Sequence, residues 1–210
     1  IGNLGTDYNL VAGNLVGVDV TGTSPLSNGG DGVRIDTGSS HNLVGGSTPG
    51  ERNVISGNLY DGVRLAWNGT RHNRIIGNYI GLDVSGATAV ENHERGLVIE
   101  YDASDNTVGG AALGEGNVIS GNRYHGVAMW SPGTTNNVIQ GNFIGTDASG
   151  GNAVPNGAVG LVISGGSTGN LIGGSSPGQG NVISGNSHQG IDINGAAANN
   201  TLAGNIVGLD

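Results

Sequence analysis

Few side chains here can do acid, base or ion-binding chemistry. All seven basic residues are arginines, set against 16 Asp and Glu. An arginine next to a carboxylate on one protein face can pair with the acid group of a uronic sugar and remove a proton from it. Arg34, Arg74 and Glu100, with Asp36, fall at outward positions of a repeated strand pattern, which makes them the candidates for that chemistry. Cross-strand ion pairs on a solvated face use the same residues. Tyr60, Tyr124 and His188 recur at one fixed interval in the sequence, and Trp67 and Trp130 follow shortly after the two tyrosines. Exposed aromatic rings on a flat face stack on sugar rings, and they also cover turns.

Asp19, Asp83 and Asp147 recur at the same 64-residue interval, with Asp210 following one position early. Calcium takes six to eight oxygen ligands. One carboxylate with a loop carbonyl or two falls short of that, and an Asx turn fits the same residue. His93-Glu94-Arg95 is a charged triplet in a loop whose repeat partner has Ala158 and Val159 nearby. The five histidines share no metal-ligand spacing, and no phosphate loop or nucleophile elbow is present. No cofactor or metal is expected.

The elements that must position these residues follow from one word. Asn-Val-Ile-Ser-Gly-Asn occurs at 53–58, 117–122 and 181–186, with looser copies at 9–14, 73–78, 137–142 and 200–205. Aligning these words with GVRI and GLVI gives an apolar series: Val11, Ile35, Ile55, Ile75, Ile99, Ile119, Ile139, Ile163, Ile183, Leu202. Consecutive members differ in number by 20 or 24, the last pair by 19, and three steps make a 64-residue super-repeat. In Gly62-Val63-Arg64-Leu65 the apolar residues alternate with a charged one, the period of a strand. Short strands, glycine turns and a fixed period predict an all-β solenoid of parallel strands. The spacing predicts about ten turns of roughly 20–24 residues, three per super-repeat, in a rod of roughly 45–50 Å. Parallel crossovers predict a right-handed winding. The asparagines stack along the rod, their amides donating and accepting from turn to turn. The longer loops Thr21–Asp31, Ser85–Arg95 and Ser149–Val159 project from one side, three turns apart at ~14 Å intervals. Residues 1–210 read as one β-helix domain, a fragment of or unit in a longer rod.

A formal net charge of −9 excludes a nucleic-acid partner, which needs a positive surface. No apolar run is long enough to span a membrane. Glycine, at 44 residues, is in excess without a collagen period, and the chain has no cysteine.

The NVISGN, GNYIGLD/GNFIGTD and GVRI/GLVI words resemble the right-handed parallel β-helix repeat proteins of the pectin-lyase-like class. They look most like the repeat arrays of long bacterial surface proteins. The resemblance implies an extracellular or cell-surface location. It covers the whole chain and is a resemblance of fold, on which lyases, hydrolases, adhesins and passive spacers are all built. The chain has no lysine and no lyase or polygalacturonase motif. The outward series Val98, Val118, Val138, Val162, Val182 reads as an apolar stripe for lateral packing. The first expectation is a non-catalytic extracellular rod, structural, adhesive or self-assembling, that packs on itself or on neighbouring domains through open ends or its outer face. The second is a carbohydrate-active protein, a polysaccharide lyase, hydrolase or glycan-binding module.

Overall fold

Alternating strands bury one side chain in two, so a chain this poor in aromatics closes its core by winding round a single axis. The computed structural model describes residues 1–208 and is a parallel β-helix. The chain visits three sheets in rotation. Leu10–Val11 lies in the first sheet, Leu15–Val16 in the second and Val33–Asp36 in the third. The first and second sheets have seven strands each and the third has six. Each strand pairs in parallel with the one a full turn away, as Val108 with Ile139 and Ile119 with Ile144. One 3-10 turn, Pro49–Glu51, is the helical element among the described residues.

The turn is longer than the spacing of the NVISGN word predicts. Successive strands of the first sheet start at Leu10, Leu43, Arg74, Thr107 and Val138. The asparagines that precede these strands bond from turn to turn across sequence separations of 33 and 31 in alternation. The super-repeat is therefore two turns of three strands, not three turns of two. The rod has six to seven turns and a length of about 30 Å. The predicted apolar series is not one column. Ile75 belongs to the first sheet, Ile119 to the second and Ile99 to the third. All three are fully buried and meet at the axis with Val44, Leu65, Ile80 and Met129 from the same and adjoining turns.

Two kinds of turn alternate. In one, a hairpin links the second sheet to the third. Its antiparallel bridges are Val18 to Pro25, Leu82 to Ala89 and Thr146 to Ala153. In the other, the long loop follows the first sheet, at 46–53 and its equivalents. Gly45 makes that second exit possible: its φ is +93°, and a Cβ there would stand 1.9 Å from the Ile76 carbonyl oxygen. The hairpins are two turns apart, not three. They touch one another, Val84 N donating to Gly22 O at 3.0 Å and Ala148 N to Gly86 O at 2.9 Å. They also fold over the outside of the second sheet, where Leu82, Val118, Val154 and Tyr79 form a satellite core.

Asparagine ladders mark the corners. The first runs through Asn42, Asn73, Asn106, Asn137 and Asn170, each Nδ2 donating to the next Oδ1 at 3.0–3.2 Å. A second runs through Asn53, Asn78, Asn117, Asn142 and Asn181, and a third through Asn58, Asn92, Asn122, Asn156 and Asn186. Each Oδ1 also takes the backbone N–H of the preceding rung in the first two, as Asn117 does from Asn78 at 3.0 Å. The stacking expected of the asparagines is present, with one rung per turn in each ladder.

Candidate functional site

The outer face of the third sheet carries the chain's densest group of charges. Strand register sets Arg34, Arg64, Val98 and Ala128 in one outward column. Asp36, Ala66, Glu100 and Trp130 form the next. The corner leading into this sheet adds Asp31, Asp61, Arg95 and His125, one per turn. They are registered by Gly32 N to Asp61 O, Gly62 N to Arg95 O and Gly96 N to His125 O, at 2.9–3.0 Å.

These groups are paired with one another. Arg34 bridges Asp36, and Arg64 bridges Glu100. Arg95 Nη1 lies 3.1 Å from Asp61 Oδ1, and its Nη2 lies 3.7 Å from Glu94. The Arg95 guanidinium sits 4.4 Å above the Trp130 ring. Trp130 crosses the sheet to reach it and meets His125 edge-on at 5.9 Å. His125 Nδ1 accepts the Val159 N–H at 3.3 Å, leaving its other nitrogen as the donor. Arg64 Nε is a buried donor without a hydrogen-bond acceptor.

Burial dominates the electrostatics. It pushes the carboxyls of Asp31, Asp61 and Glu100 above their ordinary range; for Asp61 and Glu100 the neighbouring arginines pull in the other direction. Burial, and then the Arg95 charge, push His125 down. Glu100 is only 5% exposed and sits behind Arg64, so it orients the guanidinium and cannot itself reach a saccharide.

The sequence candidates separate in space. Arg34 and Glu100 lie on the third sheet, whereas Arg74 is on the first and pairs with Glu115 at 2.8 Å. Tyr60 and Tyr124 stand on the corner beside the charged face, two turns apart, with Glu94 between them. Trp67 lies on the opposite corner, stacked on Tyr101 at 4.5 Å; both are in the left-handed region, at φ +75° and +53°. Bulky residues adopt that region at a cost in strain. The predicted valine stripe is broken up: Val98 and Val162 belong to the third sheet, Val118 and Val182 to the second, Val138 to the first. One step of the repeated word moves to another sheet, so equal spacing does not give one face.

Asp147 is saturated by its own hairpin. Its Oδ1 accepts from Ser149 Oγ at 2.7 Å and from the N–H groups of Ser149, Gly151 and Asn152. Asp83 and Asp19 are placed alike, with Ser85 and Thr21 as hydroxyl donors. This is an Asx-turn geometry. Asp210 lies outside the described residues. Among those residues, no group of three or more His, Asp or Glu side chains is placed to hold a metal ion. None of their helices is long and apolar enough to cross a membrane.

Arg64, Arg95, Asp31, Asp61 and His125 were not brought together by the sequence reading. The signal was there in the third asparagine ladder. Its alternating steps of 30 and 34 also align Asp31, Asp61, Arg95 and His125, one per turn.

No protein-family model matches the chain, and neither does any curated protein. Among solved structures, the crystal structure of an alginate lyase from Paenibacillus sp. str. FPU-7 is similar over 96% of this chain and 90% of that one. Identity is 13% and the TM-score 0.19, a level that carries no information on activity.

Proposed function

We propose that this chain is a non-catalytic β-helical rod that binds an acidic polysaccharide on the outer face of its third sheet. One observation carries the reading: Arg34 and Arg64 stand in register on adjoining strands at the wall of a cavity of about 310 Å³ that also holds Tyr60 and Asp31. Like charges directly opposite one another are unfavourable in a sheet unless something compensates. Asp36 and Glu100 do so in the free protein, and a uronate carboxylate would compete with them for the two guanidinium groups. Arg64 lines that cavity with a partly exposed side chain, which leaves part of its guanidinium open to such a group. Tyr60 offers a ring face to the sugar. A secreted or surface location goes with this reading.

The test is affinity electrophoresis through gels containing polygalacturonate or a neutral glucan. The native chain is retarded by the uronate polymer, less so as salt is added. Arg34→Ala, on an exposed side chain, weakens retardation, and Arg64→Lys weakens it while keeping the charge. Native and variant chains equally retarded by polygalacturonate relative to the neutral glucan would sink the proposal. A passive spacer is the second reading, favoured by the three saturated asparagine ladders, which build a stiff scaffold whatever lies on its surface.

A further inference from the structure

The cavity beside Tyr60 has a counterpart. A second one, of about 260 Å³, is lined by Glu94, Arg95, Tyr124, His125 and Trp130. The first is lined by Gly30, Asp31, Arg34, Tyr60 and Arg64. Three of the lining positions are equivalent in the super-repeat: 30 with 94, 31 with 95, and 60 with 124. The repeat unit is two turns, so equivalent positions lie ~9.6 Å apart along the axis. Backbone bonds hold that register, Glu94 N to Tyr60 O at 3.3 Å and Tyr124 N to Glu94 O at 3.0 Å. The two tyrosines are 53% and 45% exposed, so both rings are open to a ligand. Tyr60 stands beside Arg34, Arg64 and Asp31, and Tyr124 beside Arg95 and Glu94; of these only the tyrosines are the same residue at equivalent positions.

We infer that the two cavities are successive subsites, two sugars apart, for one 1,4-linked polyuronate lying parallel to the helix axis. This rests on the acidic-polysaccharide reading above. Two turns are about the length of a disaccharide in an extended 1,4-linked chain. Tyr60 and Tyr124 then meet sugars two residues apart along the polymer. Arg64 and Arg95, one turn apart on the adjoining columns, meet the acid groups. The second subsite differs from the first in its Trp130 floor, over which Asp61 and Glu94 hold Arg95 flat.

Titration calorimetry with size-fractionated oligogalacturonates tests this. A disaccharide fills one subsite and a tetrasaccharide spans both, so affinity steps up on the order of 100-fold between them. Tyr60→Ala or Tyr124→Ala removes the step and leaves the disaccharide bound at the other cavity. Tyr→Phe at either position keeps the step, which separates loss of stacking from loss of fold. A native chain that binds the tetrasaccharide no better than the disaccharide, or a step that survives Tyr124→Ala, overturns the two-subsite inference alone. A native chain that binds none of these oligomers overturns the underlying reading as well.

Discussion

Asp61 and Asp147 are both aspartates with hydrogen-bond donors around them, yet their pKa values move in opposite directions. Asp61 is buried, and desolvation outweighs the pull of Arg95. Asp147 has donors from Asn152 and Ser149 that outweigh its own burial, and its pKa falls to about 2. The consequences for stability differ in sign. Where the folded pKa is raised, as in Asp31, Asp61 and Glu100, the folded chain holds the proton more tightly than the unfolded one. Their unfavourable contribution at neutral pH is relieved as pH falls toward ordinary carboxylate values. Where it is lowered, as in Asp19, Asp83 and Asp147, the stabilisation is full above the unfolded value of 3.8 and lost as pH drops through the folded one. The raised carboxyls should therefore lift the melting temperature as pH falls toward the ordinary carboxylate range, His125 should lower it below its unfolded value of 6.5, and the three lowered aspartates should lower it below 3.8. Asp61→Asn keeps an acceptor for the Arg95 N–H and should flatten the rise. Native and Asp61→Asn chains whose melting temperatures run parallel from pH 7 down to the carboxylate range would contradict this account. The Asx-turn role of Asp147 was legible in the sequence because its donors are near neighbours in the chain. The burial of Asp61 was not, because Arg95 comes from the next turn.

Strands and ladders are the elements of this fold, and the ladders carry more specificity than the strands. Asn117 shows why. Its Nδ2 donates to Ile75 O at 2.7 Å and Asn142 Oδ1 at 2.9 Å, and its Oδ1 takes both the N–H and Nδ2 of Asn78. All of these groups are buried. Truncation to Ala strands the Asn78 N–H and takes one partner each from Asn78 Nδ2, Asn142 Oδ1 and Ile75 O. Each buried unsatisfied group costs about 1–3 kcal/mol, so Asn117→Ala should destabilise by no less than about 2 kcal/mol. Asn14 begins the same ladder at the surface and donates to Asn53 Oδ1 and Ala12 O without accepting from a neighbouring rung. Asn14→Ala should stay within about 1 kcal/mol. Denaturant midpoints at unchanged m separate the two, and equal shifts would show that the ladder is not where the stability lies. The inward parity of Ile119 and the outward parity of Arg64 could be read from alternation alone. Which sheet each belonged to could not. Apolar alternation marks a residue as facing the axis, and three sheets facing one axis bury the same residue types.

The whole rod is set by the two-turn unit. The super-repeat is plain in the sequence, but its division into turns is not, because every strand uses nearly the same short word. Six strands per repeat fit three turns of two strands as well as two turns of three. The asparagine steps decide between them. Sequence separations of 33 and 31, 39 and 25, or 30 and 34 each give two rungs per repeat. This division has a consequence for the intact molecule. Solenoids are held by contacts between neighbouring turns, so a whole number of repeat units can be removed without loss of register. Deleting residues 65–128 joins Arg64 to Met129, the repeat equivalent of Leu65. Asn42 then meets Asn137, Asn53 meets Asn142, and Asn58 meets Asn156. The shortened chain should keep its β-sheet circular dichroism and unfold cooperatively, with an m-value lower by roughly a third. Deleting residues 56–75 removes instead one step of the repeated word, the length that a two-strand turn would have. It takes out one strand of the third sheet, most of one strand of the first, and the ladder rungs Asn58 and Asn73. That chain should lose its cooperative transition. If instead the shorter deletion folds and the longer one does not, the unit of this rod is the two-strand turn and not the pair of three-strand turns.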